Sequence, residues 1–227
     1  MGDGLVPDAA SGGSVRIDHE LPKEARDWGR LLDLSALEAG DLILFRPIPA
    51  GSDRISLEIV RAQKEFLHER HAQWTHAAVY LGDDEHICEA NFKVPNIPYG
   101  VNIRSIFCYC DGGHAIRARR PLNMSPKQRL RIAIGAVTNV GARYGFENIL
   151  KFAWAANTHR GIRHTFRWDI KYAETQSYVC STLYQDAYNY AFQGATIRQG
   201  SPATPAHLSA STDFSPADLP LQWLTIE

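Results

Sequence analysis

Apolar and polar positions along this chain fall into two periods. Between residues 39 and 120 the apolar residues come in short runs. Leu42 to Arg46 is nearly continuous, and runs near 75–82, 86–91, 100–106 and 114–120 follow it. Each is bounded by turn formers: Gly40-Asp41 before the first, Pro47 after it, then Gly82-Asp83-Asp84, the stretch from Pro95 to Gly100, and Asp111-Gly112-Gly113. Runs of this length between such punctuation predict strands, and strands in quick succession predict an antiparallel sheet. Elsewhere the period lengthens to that of a helix. Ile55, Ile59, Ala62 and Phe66 share one face of a predicted helix over 55–70. Ser125-Pro126 is a cap followed by a first-turn proline, opening a helix over 126–140. Further helices are predicted over 146–156 and from Cys180 to about 193, where positions 180, 183, 184, 187, 188 and 191 are apolar or small. A short helical pattern also lies within 22–38.

The order of strands followed by helices predicts one α+β domain over 21–227. Residues 1–20, rich in Gly, Ser and Asp, read as a flexible segment. The polar stretch 157–175 is long enough for a functional loop. The part after Gly194 reads as chain wrapping the surface, with Leu219 to Ile226 packing an edge.

Composition narrows the function. The chain has 227 residues, 44% of them hydrophobic, and a formal net charge of −1. There is no general basic field, so nucleic acid is not expected as a partner. The one basic run, His159 to Arg167, reads as a solvated loop. No apolar run reaches the length of a membrane span, so stable membrane insertion is not expected. The first residues lack a basic and an apolar signal region, so synthesis in the cytoplasm without a signal peptide is expected. Four cysteines, Cys88, Cys108, Cys110 and Cys180, are too few and scattered for a disulfide framework. Cys108-x-Cys110 with His114 fits no common zinc module, so neither a metal nor a cofactor is expected. In a strand, those two cysteines would share one buried face.

Candidate chemistry centres on Cys180. It opens a predicted helix, where the dipole and the unpaired first-turn N–H groups favour negative charge. His76 opens a predicted strand in Trp-Thr-His-Ala-Ala-Val-Tyr. An ordinary thiol, with a pKa of about 8.5, is only a few per cent ionised at neutral pH, so a nucleophilic cysteine needs a neighbouring base. A hairpin turn centred near 82.5 would pair His76 directly with Glu89. Asn91 lies on the same face two residues on, and an amide can also orient an imidazole.

Gly-Asp-Leu-Ile-Leu-Phe (40–45), Thr-His-Ala-Ala-Val-Tyr (75–80), Cys-Glu-Ala (88–90) and Tyr-Val-Cys-Ser-Thr-Leu-Tyr (178–184) resemble, in that order, the circularly permuted branch of the NlpC/P60 superfamily. The YiiX-like and lecithin:retinol acyltransferase-like groups belong to that branch. The resemblance spans roughly 39–190. It implies a papain-like fold with the histidine strand ahead of the cysteine helix, and a catalytic triad of Cys180, His76 and Glu89. Tyr144, Trp74 and Asn91 become candidates to line the substrate cleft, with a core role the alternative for Tyr144 and Trp74. The implied activity is a cysteine peptidase or amidase acting on peptidoglycan stem peptides. An antibacterial effector, or a lysis enzyme, would reach the target periplasm by a secretion system and be held in check by an immunity protein. Two other readings stand beside it: a thiol acyltransferase or lipase with 146–156 edging an acyl tunnel, and a non-catalytic binding module on the same fold.

Overall fold

A computed structural model describes residues 4–49, 54–91, 99–144, 177–192, 197 and 203–227. The main sheet has five strands: β3 (Leu42–Pro47), β4 (His76–Tyr80), β5 (His86–Asn91), β6 (Gly100–Ser105) and β7 (His114–Arg119). Their order is β6-β5-β4-β3-β7, and every pairing is antiparallel. The protein is therefore α+β, as the order of elements predicts.

Both faces of this sheet are covered, which is why Leu42 to Phe45 read as an unbroken apolar run instead of alternating. Leu42, Leu44, Ala77, Val79, Cys88 and Ala90 belong to one core, shared with helices α4 (Pro126–Val137) and α5 (Cys180–Phe192). Ile43, Phe45, Ala78, Tyr80, Ile87 and Ile116 belong to the other, shared with α1 (Lys23–Trp28), the 3-10 turn Ile106–Tyr109 and the C-terminal strand. Helix α4 opens with a full capping box: the Ser125 hydroxyl accepts from the Gln128 N–H, and the Ser125 N–H donates to the Gln128 side chain. It stops at Val137, three residues short of the predicted end, because the Thr138 and Asn139 side chains both bond back to the Gly135 carbonyl.

Several expectations need correction. The helix predicted over 55–70 is two, α2 (Arg54–Lys64) and α3 (Glu69–Ala72), with His68 capping the second. The fully buried Gln63 amide ties the break together. It donates to the Ala72 and Trp74 carbonyls at 2.9 Å each and accepts from the Ala206 N–H at 3.0 Å. Cys108 and Cys110 lie in and just after the 3-10 turn rather than in a strand, because the Ser105 hydroxyl caps the turn at Phe107. The first twenty residues are not simply a loose tail. Ser11–Val15 forms β1, which lies parallel to β10 (Trp223–Ile226), and β2 (Arg30–Leu32) completes that sheet on the other side of β10. Leu5 also bridges Ile116. The glycines and serines of β1 carry little hydrophobic signal, and its partner lies more than two hundred residues away. The predicted C-terminal edge is thus the middle strand of a three-stranded sheet. Within the stretch expected to wrap the surface, α6 (Pro205–Ala210) and Phe214 are built into the core. The predicted helix 146–156 and the loop 157–175 lie outside the described residues.

Arg119 fixes the last part of the chain. Its guanidinium, almost fully buried, donates to the carbonyls of Leu208, Ser209, Ser211, Phe214 and Ser215. Neighbouring Arg117 reaches Ser209 and Asp218 at 2.6 Å each. Arg119→Met would leave those carbonyls without their donor. We expect it to cost roughly 3 kcal/mol of stability, read as a lower urea midpoint at unchanged slope.

Candidate active site

The sheet brings three of the predicted residues together at one end. His76 is the first residue of β4. Its backbone is in register with Phe45 of β3, and the Thr75 N–H donates to the Phe45 carbonyl at 3.1 Å. Cys180 is the first residue of α5 and is 7% exposed. The Val179 carbonyl takes the N–H groups of Thr182 and Leu183, while the Thr182 hydroxyl accepts from the Val179 N–H, which closes the first turn around the thiol. Just before it, β9 (Ser177–Tyr178) pairs in parallel with β8 (Arg143–Tyr144), and residues 141–142 bond to Val101 of β6. The start of α5 is therefore tied to the main sheet. The rest of the helix is tied as well: the Tyr184 hydroxyl donates to the Gly40 carbonyl and the Ser181 hydroxyl to the Ala203 carbonyl. Gly40 has φ +84, and a Cβ there would meet the Arg129 carbonyl oxygen at 2.3 Å, so the turn that receives Tyr184 requires glycine.

The His76 ring bonds to Glu89, with Nε2 2.6 Å from Oε2, and the Cys180 thiol lies near enough to raise the pKa of the ring. With Nε2 engaged by the carboxylate, Nδ1 is the nitrogen left for sulfur. Glu89 is the carboxylate at this position, but not by the predicted pairing. Strands β4 and β5 run with Val79 opposite Cys88 and Tyr80 opposite Ile87, so the register is displaced by two residues from a turn centred near 82.5. Continued along the strands, this register sets Asn91 opposite His76 and puts Glu89 on the diagonal. The parity is unchanged, so all three share a face. The cause is the loop: Leu81 N–H closes on the His86 carbonyl at 2.9 Å, Asp83 accepts from the His86 N–H, and Asp84 takes φ +76.

Asn91, the other group on this face able to orient an imidazole, donates to Glu89 Oε1 at 3.2 Å and to the Tyr109 hydroxyl at 3.5 Å. Two further residues that sequence reasoning missed complete the surroundings. The Tyr109 hydroxyl donates to Glu89 Oε2 at 2.7 Å, and Arg104 Nη1 lies 3.5 Å from Oε1. Tyr109 also stacks on Phe45, with centroids 3.8 Å apart, and lies 6.0 Å from the His76 ring. Phe-Cys-Tyr-Cys has no periodic signal that would single out its tyrosine.

Trp74 does not line a cleft. It is fully buried, with the guanidinium groups of Arg46 and Arg117 over its ring, because its strand entry turns it into the core. Tyr144 pairs through its backbone with Tyr178, two residues before Cys180; its side chain lies outside the described part of the structure.

Electrostatics follow from this geometry. Glu89 has no exposed side-chain surface, and burial pushes its pKa up. The charge and hydrogen bond of His76, the charge of Arg104 and the Tyr109 hydroxyl more than reverse that, bringing it to about 2. Burial likewise pulls the His76 imidazolium down, and the charges and hydrogen bonds of Cys180 and Glu89 raise it well above the ordinary range. Burial and the Glu89 charge push the Tyr109 phenol well above its ordinary value, so it remains a neutral donor. Such a set can hold a proton on the ring between a carboxylate and a sulfur. No protein-family model matches the chain, and none of the curated proteins matches it.

The signs set a pH window. The Glu89 contribution to stability is present above its ordinary pKa of 4.5 and is lost as pH falls toward 2. The His76 contribution is fully present below the ordinary 6.5 and is lost as pH rises through its raised folded value. Both are therefore complete between about pH 4.5 and 6.5. Relative to wild type, Glu89→Gln should flatten the fall in unfolding free energy below pH 4.5, measured by urea titration at several pH values.

Proposed function

We propose that this protein is a cysteine hydrolase, a peptidase or amidase that cuts an amide in peptidoglycan stem peptides, on a papain-like fold of the permuted NlpC/P60 kind. The observation that carries the reading is a single imidazole bonded to the buried carboxylate of Glu89, on which the helix-start thiol of Cys180 also acts. The antiparallel sheet packed with helices, and the order of histidine strand before cysteine helix, support the fold assignment. The substrate class rests on the resemblance of the motifs over 39–190.

Nδ1 of His76 takes the Cys180 proton, giving a thiolate–imidazolium pair, and the thiolate then attacks the substrate carbonyl carbon. A carbon–sulfur bond forms, and the carbonyl electrons move onto oxygen. The backbone N–H of Cys180, at the positive end of α5, would meet that oxyanion. As the intermediate collapses the carbon–nitrogen bond breaks, and the imidazolium returns its proton to the departing amine. Water, deprotonated by the same ring, then attacks the thioester and releases a carboxylic acid and the thiol. Through both halves Glu89 keeps its bond to Nε2, which fixes the tautomer and stabilises the imidazolium each time it forms. The segment 146–156, which would edge an acyl tunnel in the acyl-transfer reading, lies outside the described residues.

Digestion of purified cell wall provides the test. Cys180→Ala should lower the release of new amino groups by at least about a thousandfold, and mass analysis of the fragments identifies the bond. Undiminished release by the variant would remove the proposal. Delivery as an antibacterial effector or lysis enzyme, restrained by an immunity protein, belongs to the same reading. Toxicity on expression directed to the periplasm, lost in Cys180→Ala and absent on cytoplasmic expression, is the expected result.

A further inference from the structure

Glu89 holds the ring, yet something must hold Glu89. Its two oxygens meet four groups from four places in the chain. Oε2 receives Nε2 of His76 at 2.6 Å and the Tyr109 hydroxyl at 2.7 Å; Oε1 receives Asn91 at 3.2 Å and faces Arg104 at 3.5 Å. Of the three supports, the phenol has the shortest contact and alone shares an oxygen with the imidazole. It is also the most rigidly placed. Its ring is 9% exposed and lies between Phe45, stacked at 3.8 Å, and the Arg104 guanidinium, 5.4 Å from the centroid, with His114 edge-on at 5.3 Å. A ring held on these sides cannot follow the carboxylate if the carboxylate turns; the carboxylate must come to it.

We propose that Tyr109 is a positioning residue of the Cys180–His76–Glu89 site, acting only through Glu89: its hydroxyl occupies one lone pair of the oxygen that holds His76, which keeps the carboxylate ionised and fixes its angle to the ring. This rests on the function proposed above and adds a fourth member to its machinery. The chemical logic is that a hydrogen bond to the charged form of an acid favours that form. Without the hydroxyl, Glu89 protonates at higher pH. A protonated Glu89 no longer accepts from Nε2, so the ring loses its orientation toward Cys180 at higher pH as well. The groups facing this centre are His76 from β4, Cys180 from α5, Arg104 from β6, and Cys108 and Tyr109 from the 3-10 turn. Cys88 is Glu89's neighbour on β5, and His114 with its partner Asp111 lies behind Tyr109.

Alkylation of Cys180 by iodoacetamide, followed against pH by the mass of the labelled peptide, reads this pair without any substrate. Tyr109→Phe keeps the ring and removes only the oxygen. Its acid limb should move up by at least about half a pH unit, and its plateau rate should fall several-fold. In a Glu89→Gln background the same substitution should produce no further shift. A purely structural tyrosine would change the unfolding midpoint and leave the acid limb in place. Should Tyr109→Phe not fold, replacement of all tyrosines by 3-fluorotyrosine, a stronger donor at nearly the same size, should move the limb down. A Tyr109→Phe profile superimposable on wild type, with His76→Ala abolishing the limb, would overturn the role of Tyr109 and leave the cysteine hydrolase standing. An unchanged profile in His76→Ala would overturn both.

Discussion

A carboxylate with no exposed surface sits at the centre of this structure, and its burial constrains everything near it. Removing such a group from water costs several kcal/mol unless donors replace the lost hydration. Around Glu89 the replacement is a cation-forming ring, a guanidinium, an amide and a phenol, carried by β4, β6, β5 and the 3-10 turn. Each has to be delivered at the right depth, so the four elements cannot shift independently. The same contacts that make Glu89 tolerable as an ion leave it without capacity to take the imidazole proton. In the proposed chemistry that proton stays on Nε2, which leaves the ring's other nitrogen for Cys180.

Cys180 arrives by a separate route. Its helix packs against the sheet face opposite the one that carries His76 and Glu89, with Leu183, Tyr184 and Ala187 in the first core. His76 is the first residue of its strand and Cys180 the first of its helix, so both lie at an end of the sheet, where its two faces can be joined. The bonds that hold α5 in register come from distant segments: Gly40 on one side, Ala203 on another, with β8 and β9 clamping the approach. A site made of element ends would be loose without them.

Much of this fold is legible in the sequence. The apolar runs bounded by Gly-Asp and Asp-Gly-Gly located the strands, because those residues leave few alternatives to a turn. The face of α5 was readable because its buried positions repeat at helical spacing. The parity that puts His76, Glu89 and Asn91 on one face was readable too, since it depends only on odd and even. The register was not, because the loop Gly82–Glu85 is set by the Asp83 side chain and a left-handed Asp84, which apolar patterning does not report. Tyr109 was invisible for a related reason. It reaches Glu89 from a 3-10 turn, where no period marks which side chain points inward. The strand at 11–15 was missed because it draws its stability from Trp223 and its neighbours rather than from its own Ser and Gly residues.

The choice between Glu89 and Asn91 follows from the same register. Asn91, nearly opposite His76, is the closer neighbour along the backbone, and an amide can orient an imidazole. An amide, however, would not offset the charge that the ring acquires in the chemistry proposed above. The diagonal carboxylate can, at the expense of being buried, and Asn91 is instead spent on reducing that expense by donating to Oε1. Placing the charged group one step off the direct pairing also opens room between strands for the Tyr109 hydroxyl on the same oxygen. A directly paired Glu would fill that space with its own stem, so the displaced register is what lets the carboxylate be both buried and fully bonded.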